Sequence, residues 1–251
     1  MAGRSTAMLT TYDLDRYQRQ LSCFPMGEEG QERIRKAHVV IAGIGGLGSP
    51  AALYLVAAGI GCLTIIDDDH VSLTNLNRQI LHYDRDIGEA KVSSAEAKLN
   101  LLNSSVQIRP IKQRITEETV VSLLDGAHVV LDGMDNFATR LILNRACVEL
   151  KIPFIHGGVH GLMGQVTTII PGKTPCFACL CREIPEQEKE IPVLGPLPGM
   201  IACVQVTEAI KYIVGFGELL TNRMLFIDGT DMVFSSIDIE RVKTCPVCGE
   251  Q

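Results

Sequence analysis

No stretch of this 251-residue chain approaches the roughly 20 consecutive apolar residues of a membrane-spanning helix. Residues 1–11 are small and polar and lack the apolar core of a secretory signal. The chain is therefore expected to be cytoplasmic, with a disordered tail over residues 1–12. An excess of positive charge is missing too. Lys and Arg number 23 against 29 Asp and Glu, a net −6, which gives no footprint for nucleic acid. The nine cysteines make an odd count without a signal peptide, which argues against a disulfide framework. The length suits one large α/β domain or two small ones, with apolar content enough for a substantial core.

Residues 38–79 organise the rest. An apolar run, 38–42, reads as a buried strand. It enters Gly43-Ile44-Gly45-Gly46-Leu47-Gly48, then an apolar helical pattern over 49–58. A second apolar run, 62–66, ends in Asp67. Strand, glycine turn, helix, strand and acid form the order of a dinucleotide-binding βαβ unit. Gly43 and Gly45 let the backbone turn tightly and approach a phosphate, and Gly48 lets the helix pack close to the strand. Free N–H groups at the helix start then face the anion. Asp67 can accept bonds from ribose hydroxyls. The alternative is a purely structural glycine turn.

The same pattern continues along the chain. Helices are expected over 13–21, 27–36, 89–103, 116–124, 136–150 and 200–214. Strands are expected over 106–111, 127–131, 153–158, 165–170, 224–228 and 232–240, with a glycine turn after 158. Asp132-Gly133-Met134-Asp135-Asn136 falls at the carboxyl end of a strand, where open α/β sheets bind ligands. A hard carboxylate there can hold Mg²⁺ on a triphosphate. Asp132 itself reads as a cap or turn residue, and Arg140 as a support for this loop. His156 and His160 are four apart, but Gly157 and Gly158 between them argue against a helical metal pair. Pro171-Gly172-Lys173-Thr174 ends like a phosphate loop, yet Thr167 stands where the first glycine is needed, so it reads as a turn. Cys176/Cys179 and Cys245/Cys248 are two Cys-x-x-Cys pairs, the preferred donor set for structural zinc. An empty thiol pair or an iron–sulfur centre are the alternatives. Cys181 falls outside this set.

At Asn75-Leu76-Asn77-Arg78-Gln79, Gly88-Glu89-Ala90-Lys91, 132–136 and Arg140, the chain resembles the ThiF/MoeB/HesA family, relatives of the ubiquitin-activating enzymes. The resemblance runs from Arg16-Tyr17-Gln18-Arg19-Gln20 to Cys245-Pro246-Val247-Cys248, nearly the whole chain, as five motifs in order. It implies one Rossmann-like adenylation domain over 13–251. The expected sheet is mostly parallel, flanked by helices, with antiparallel C-terminal strands and a zinc site of four cysteines. The turn from Gly43 through Gly45 and Gly46 to Gly48, with Asp67, would bind ATP. Asn75, Arg78 and Lys91 would bind its phosphates, with Gln79 a positioning residue and Asp69 a common family acid. Asp135 would hold magnesium, and Arg19 would reach the ATP site of the partner subunit in a homodimer. The implied reaction is adenylation of the C-terminal glycine of a small ubiquitin-like sulfur carrier ending in Gly-Gly, in molybdopterin or thiamine synthesis or a related sulfur transfer. Adenylation of a small carboxylate is the runner-up. A nicotinamide-dependent dehydrogenase and a non-catalytic nucleotide-binding module are more distant readings. Some family members carry a catalytic cysteine in a crossover loop, here aligned near Glu188 and Lys189. The absence of cysteine there predicts adenylation without an obligatory enzyme thioester, with a substitute role for Cys181 left open.

Overall fold

The computed structural model describes residues 9–181 and 192–249. Eight strands form one sheet, in the order β3-β2-β1-β4-β5-β6-β7-β8. In chain order they are β1 (His38–Ala42), β2 (Cys62–Ile66), β3 (Gln107–Ile111), β4 (Val129–Asp132), β5 (Phe154–His160), β6 (Met163–Ile169), β7 (Arg223–Asp228) and β8 (Val233–Asp238). β3, β2, β1, β4 and β5 run parallel, and β6, β7 and β8 are added antiparallel. The expected fold class is thus present.

The helices are α1 (Thr11–Arg16), α2 (Gln18–Leu21), α3 (Gly27–Lys36), α4 (Gly48–Ala57), α5 (Lys91–Leu102), α6 (Val120–Leu123), α7 (Phe137–Leu150), α8 (Phe177–Leu180) and α9 (Pro196–Val214). The central strands β1 and β4 are buried along their whole length, as strands covered by helices on both faces must be. α4, α5 and α9 cover one face, through Ile41, Leu55, Leu63, Leu99 and Ile201. α6, α7 and α8 cover the other, through Val40, Ile66, Leu124, Leu143 and Phe154.

Four differences from the sequence expectation have physical causes. The first helix starts at Thr11, inside the expected tail, because Thr10 and Asp13 form a reciprocal capping box. It breaks at Tyr17, whose ring is buried under Gly59 and whose hydroxyl accepts a bond from Asn103 Nδ2. The expected helix over 116–124 shortens to α6, because residues 117–119 form a turn held by Thr116 and Thr119. β5 runs two residues past its expected end, to His160, and the turn comes at Gly161, with φ +59°, before β6. A Cβ at Gly157 would lie 2.5 Å from Gln205 Cδ, so the glycine leaves room for that buried amide. Finally, α9 starts four residues earlier than expected and reaches the length and hydropathy of a membrane span. Half of that window is buried inside the fold, against α4 and β5, so it serves as a core helix.

β1 pairs with β2 on one side and β4 on the other. The chain reverses direction across the sheet here, which opens a crevice beyond the strand ends. A Cβ at Gly48 would sit 1.9 Å from Gly43 O, a contact no side chain can relieve. Gly48→Ala is therefore expected to lose at least about 1–3 kcal/mol in urea unfolding. Gly46→Ala, whose nearest contacts would be 3.5 Å, should change stability little. Equal losses at the two positions would contradict this packing.

Candidate nucleotide site and cysteine cluster

The crevice is built first from the turn between β1 and α4. Gly43 has φ +89°, and its own N–H donates to Ile66 O. The next N–H, of Ile44, donates to Asp67 Oδ2 at 2.8 Å. The N–H groups of Gly45, Gly46 and Leu47 bond to no group among the described residues. They stand at the start of a ten-residue helix, where an anion is favoured by both the free donors and the helix dipole.

Asp67 ends β2 and is tied to two backbone donors, Ile44 N–H and Asp69 N–H. Burial raises its carboxyl above the ordinary value, and Lys91 opposes that shift. Lys91 opens α5 and is almost fully buried. Its Nζ lies 2.9 Å from Asp69 Oδ2. Asp69 thus has a definite task, holding the lysine at the crevice edge. Asp67, Asp68 and Asp69 form an acidic group beside it.

The segment after β2 folds back on the turn. Asn75 Oδ1 caps a short 3-10 helix by accepting from Ser72 N–H, while its carbonyl accepts the N–H groups of Arg78 and Gln79. Asn75 is therefore engaged in shaping this loop. Arg78 packs against the turn, within 3.5 Å of where a Gly46 Cβ would be. Its guanidinium bonds to Thr74 O and Asn77 Oδ1 and has no carboxylate partner among the described residues. Gln79 is buried beside Gly45, and its Oε1 accepts no hydrogen bond there. A buried carbonyl without a donor is unfavourable, so this atom can receive a donor from a ligand or a water.

The third side is the 133–136 loop after β4. A Cβ at Gly43 would lie 2.7 Å from Gly133 O, so the two loops touch through bare backbone. Asp135 is exposed, and one carboxylate oxygen accepts from Asn136 Nδ2 at 3.3 Å. This hard oxygen ligand, exposed beside the turn, fits Mg²⁺. The structure therefore brings together Gly43, Gly45, Gly46, Gly48, Asp67, Asp69, Asn75, Arg78, Gln79 and Lys91, with Asp135 on the adjoining loop. Arg19 is separate. It lies exposed on α2, with no bond to these groups.

Arg140 supports the 133–136 loop as expected, by donating to Met134 O, but the buried group around it was not legible. Asp132 is fully buried, more than a turn residue. Its Oδ1 accepts Met134 N–H, and its Oδ2 accepts Arg140 Nε at 3.0 Å and His156 Nδ1 at 2.7 Å. Burial alone would raise this carboxyl, but Arg140 and His156 hold it below the ordinary carboxylate value. His156 is lowered, chiefly by burial, and Gln165 Nε2 donates to its Nε2. Gln205 Nε2 donates to Asp132 O and Ile155 O. His82, unnoticed in the sequence, is buried with Nδ1 on Ser94 and Nε2 3.3 Å from Ile44 O, under the glycine turn. The signal for such residues is a polar side chain where the periodicity demands an apolar one.

Across the sheet, Cys176, Cys179, Cys245 and Cys248 are buried, with all four sulfurs within 4.8 Å of one another. Cys176 and Cys245 sulfurs are 3.7 Å apart, and Cys179 and Cys248 sulfurs 3.4 Å. Tetrahedral thiolates about 2.3 Å from zinc stand about 3.8 Å from each other, so the set fits that ion. Burial works to raise the Cys245 thiol, yet backbone N–H donors from Cys248 and Val247 help bring it down to about 7, which favours a thiolate ligand. Cys181 lies outside the cluster. Glu188 and Lys189 fall outside the described residues.

The ThiF family profile matches residues 17–247. The chain belongs to the ThiF family. A SAMP-activating enzyme E1 from Haloferax volcanii is 42% identical, with 98% of this chain and 92% of that protein aligned. The adenylyltransferase and sulfurtransferase MOCS3 of Anopheles gambiae is 40% identical across 96% of this chain but only 56% of its own length. A crystal structure of E. coli MccB with ATP shares the fold at a TM-score of 0.83 and 26% identity, covering 97% of this chain and 77% of that one. This ThiF-family member thus bears out the resemblance carried by its loop motifs.

His82 supplies a pH test. Burial lowers it from 6.5 to about 4. A depressed histidine contributes stability that is fully present above the unfolded value and is lost as pH falls toward the folded one. Urea unfolding at pH 7 and pH 5 should show a loss at the lower pH that His82→Gln reduces. The same pH dependence in both proteins would contradict the assignment.

Proposed function

We propose that this ThiF-family protein is an ATP-dependent adenylyltransferase. It activates the C-terminal glycine carboxylate of a small ubiquitin-like sulfur-carrier protein ending in Gly-Gly. The observation that carries the reading is the meeting, beyond β1 and β4, of a turn whose N–H groups are free and an Arg78 that lacks a carboxylate partner among the described residues, with Lys91 and the Asp135 carboxylate. A dehydrogenase needs the turn and Asp67 but has no use for the other three. The names of the Haloferax and Anopheles relatives, and the ATP complex of MccB, support the same chemistry.

The carrier's carboxylate attacks the α-phosphorus of ATP. An acyl–phosphate bond forms, the bond from the α-phosphorus to the bridging oxygen breaks, and pyrophosphate leaves with the electron pair. The attacking carboxylate is ionised near pH 7, so no general base is required. Asp67 accepts from the ribose, and the glycine turn holds phosphate oxygens. Arg78 and Lys91 meet the charge that develops on the pentavalent centre and the leaving group. Positioning and electrostatics then carry most of the rate. Asp135 holds Mg²⁺, which neutralises phosphate charge when bound. Arg19 completes the site from a second copy. An apolar groove of about 510 Å³, lined by Tyr54, Ile80, Met200 and Phe234 among others, offers surface for the homodimer. Zinc on the four cysteines ties the C-terminal segment to α8. The setting is cytoplasmic sulfur transfer, for molybdopterin, thiamine or a related product. The sequence has no cysteine at 188 or 189, and the reaction ends at the acyl-adenylate.

ATP–pyrophosphate exchange with a panel of Gly-Gly carriers tests the reading. Exchange with one carrier is expected, reduced on the order of 100-fold by Arg78→Ala. Exchange only with small carboxylic acids, or with nothing, contradicts it. For the cysteines, metal analysis should find one zinc per chain, and a strong chelator should lower the melting temperature by several degrees. An identical melting curve with and without chelator contradicts a structural metal.

A further inference from the structure

The buried polar group behind the 133–136 loop has no role in binding or chemistry as described so far. It is also unusual. A fully buried aspartate, a buried arginine and a fully buried histidine share one carboxylate oxygen, Asp132 Oδ2. Such a cluster loses much solvation on folding, and apolar residues of the same size would hold a sheet to a helix at least as well. Its hydrogen bonds show what it accomplishes instead. Asp132 Oδ1 accepts Met134 N–H at 3.0 Å. Arg140 Nη2 donates to Met134 O and also to Gly157 O on β5. Both polar atoms of one peptide residue, the one immediately before Asp135, are thereby fixed to the buried group.

The anchor is itself braced from several elements. His156 on β5 donates to Asp132 and packs against the Phe177 ring at 4.7 Å. Gln205 on α9 bonds Asp132 O. Arg140 projects from α7, and its guanidinium lies 5.7 Å from the Phe137 ring centroid. Asn136 Oδ1 accepts Thr139 N–H, which seats the start of α7 beside the loop. The loop thus has its N-terminal side locked to β4 and its C-terminal side locked to α7. Asp135, alone exposed between them, is flanked by a residue held on each side.

We infer that Arg140 is the positioning residue of the cation site: through Met134 it fixes the backbone that aims the Asp135 carboxylate at the metal of the metal–nucleotide complex. This rests on the reading that Asp135 is the cation ligand. Residues behind a metal ligand commonly change metal affinity by about 10–100-fold when altered. Arg140→Lys keeps a positive charge beside Asp132 but loses the forked reach to Met134 O and Gly157 O.

The test uses the full chain, Mn²⁺ as a spectroscopic substitute for Mg²⁺, and a non-hydrolysable ATP analogue. Mn²⁺ affinity in the ternary complex is read by electron paramagnetic resonance. AMP affinity, which involves no cation, is read by calorimetry. Arg140→Lys is expected to weaken Mn²⁺ about tenfold while AMP affinity stays within about twofold. Asp132→Asn, which retains an acceptor for Met134 N–H but puts an amide donor where Oδ2 accepts Arg140 and His156, serves as the second variant and should weaken Mn²⁺ in the same direction. Unchanged Mn²⁺ affinity in both variants, with a clear loss in Asp135→Asn, overturns the positioning role and spares the ligand assignment. Parallel losses of Mn²⁺ and AMP affinity in both variants overturn it too, since the cluster would then merely support the fold. Unchanged Mn²⁺ affinity in Asp135→Asn overturns the ligand assignment itself and the inference with it.

Discussion

Two strand ends meet without side chains. A Cβ on Gly43 would come within 2.7 Å of Gly133 O, and one on Gly133 within 2.4 Å of Gly43 O. The parallel pairing of Ala42 with Asp132 delivers both glycines to the same level of the sheet. Any bulk there would separate the turn that faces the phosphates from the loop that carries Asp135. The lengths of β1 and β4, their complete burial and the helices on both faces all serve to hold these two backbones in register. Gly48 adds the third close approach, seating α4 directly on the turn.

Around that contact the molecule divides its polar groups in two. Among the described residues, those facing the crevice are left with unused capacity: three turn N–H groups, the Gln79 carbonyl, the Arg78 guanidinium and the Asp135 carboxylate. Behind it, several buried groups are well bonded. Asp132 accepts three side-chain or backbone donors, His82 is bonded at both nitrogens, and Gln205 bridges β4 and β5. Unsatisfied donors in a buried setting destabilise the empty protein and strengthen the complex that fills them. Saturated groups beneath keep the unsatisfied ones from collapsing onto each other.

The sequence made the front of this arrangement readable and left the back obscure. β1, β2 and α3 have the bounds that hydrophobic runs and polar flanks predicted, because a short apolar run and an amphipathic helical pattern each leave few other conformations. The glycine turn, Asp67 and the Cys-x-x-Cys pairs were legible because their spacing along the chain is itself the chemistry. Arg140, His156 and Gln205 come from α7, β5 and α9, and nothing in local spacing says that they converge on Asp132. The 116–124 helix failed because Thr119 bonds back to residue 116, a local competition that propensity alone does not resolve.

The central claim is that this crevice directs a carboxylate to the α-phosphorus of ATP. The most direct measurement follows the label from ATP marked at either the α- or the γ-phosphorus, incubated with the protein, Mg²⁺ and a Gly-Gly carrier, then quenched in acid and resolved by intact mass and radiography. The account predicts that the carrier gains AMP, with α-label and no γ-label. Transfer of the γ-label to the carrier, or an unmodified carrier in the presence of ATP breakdown, would contradict it.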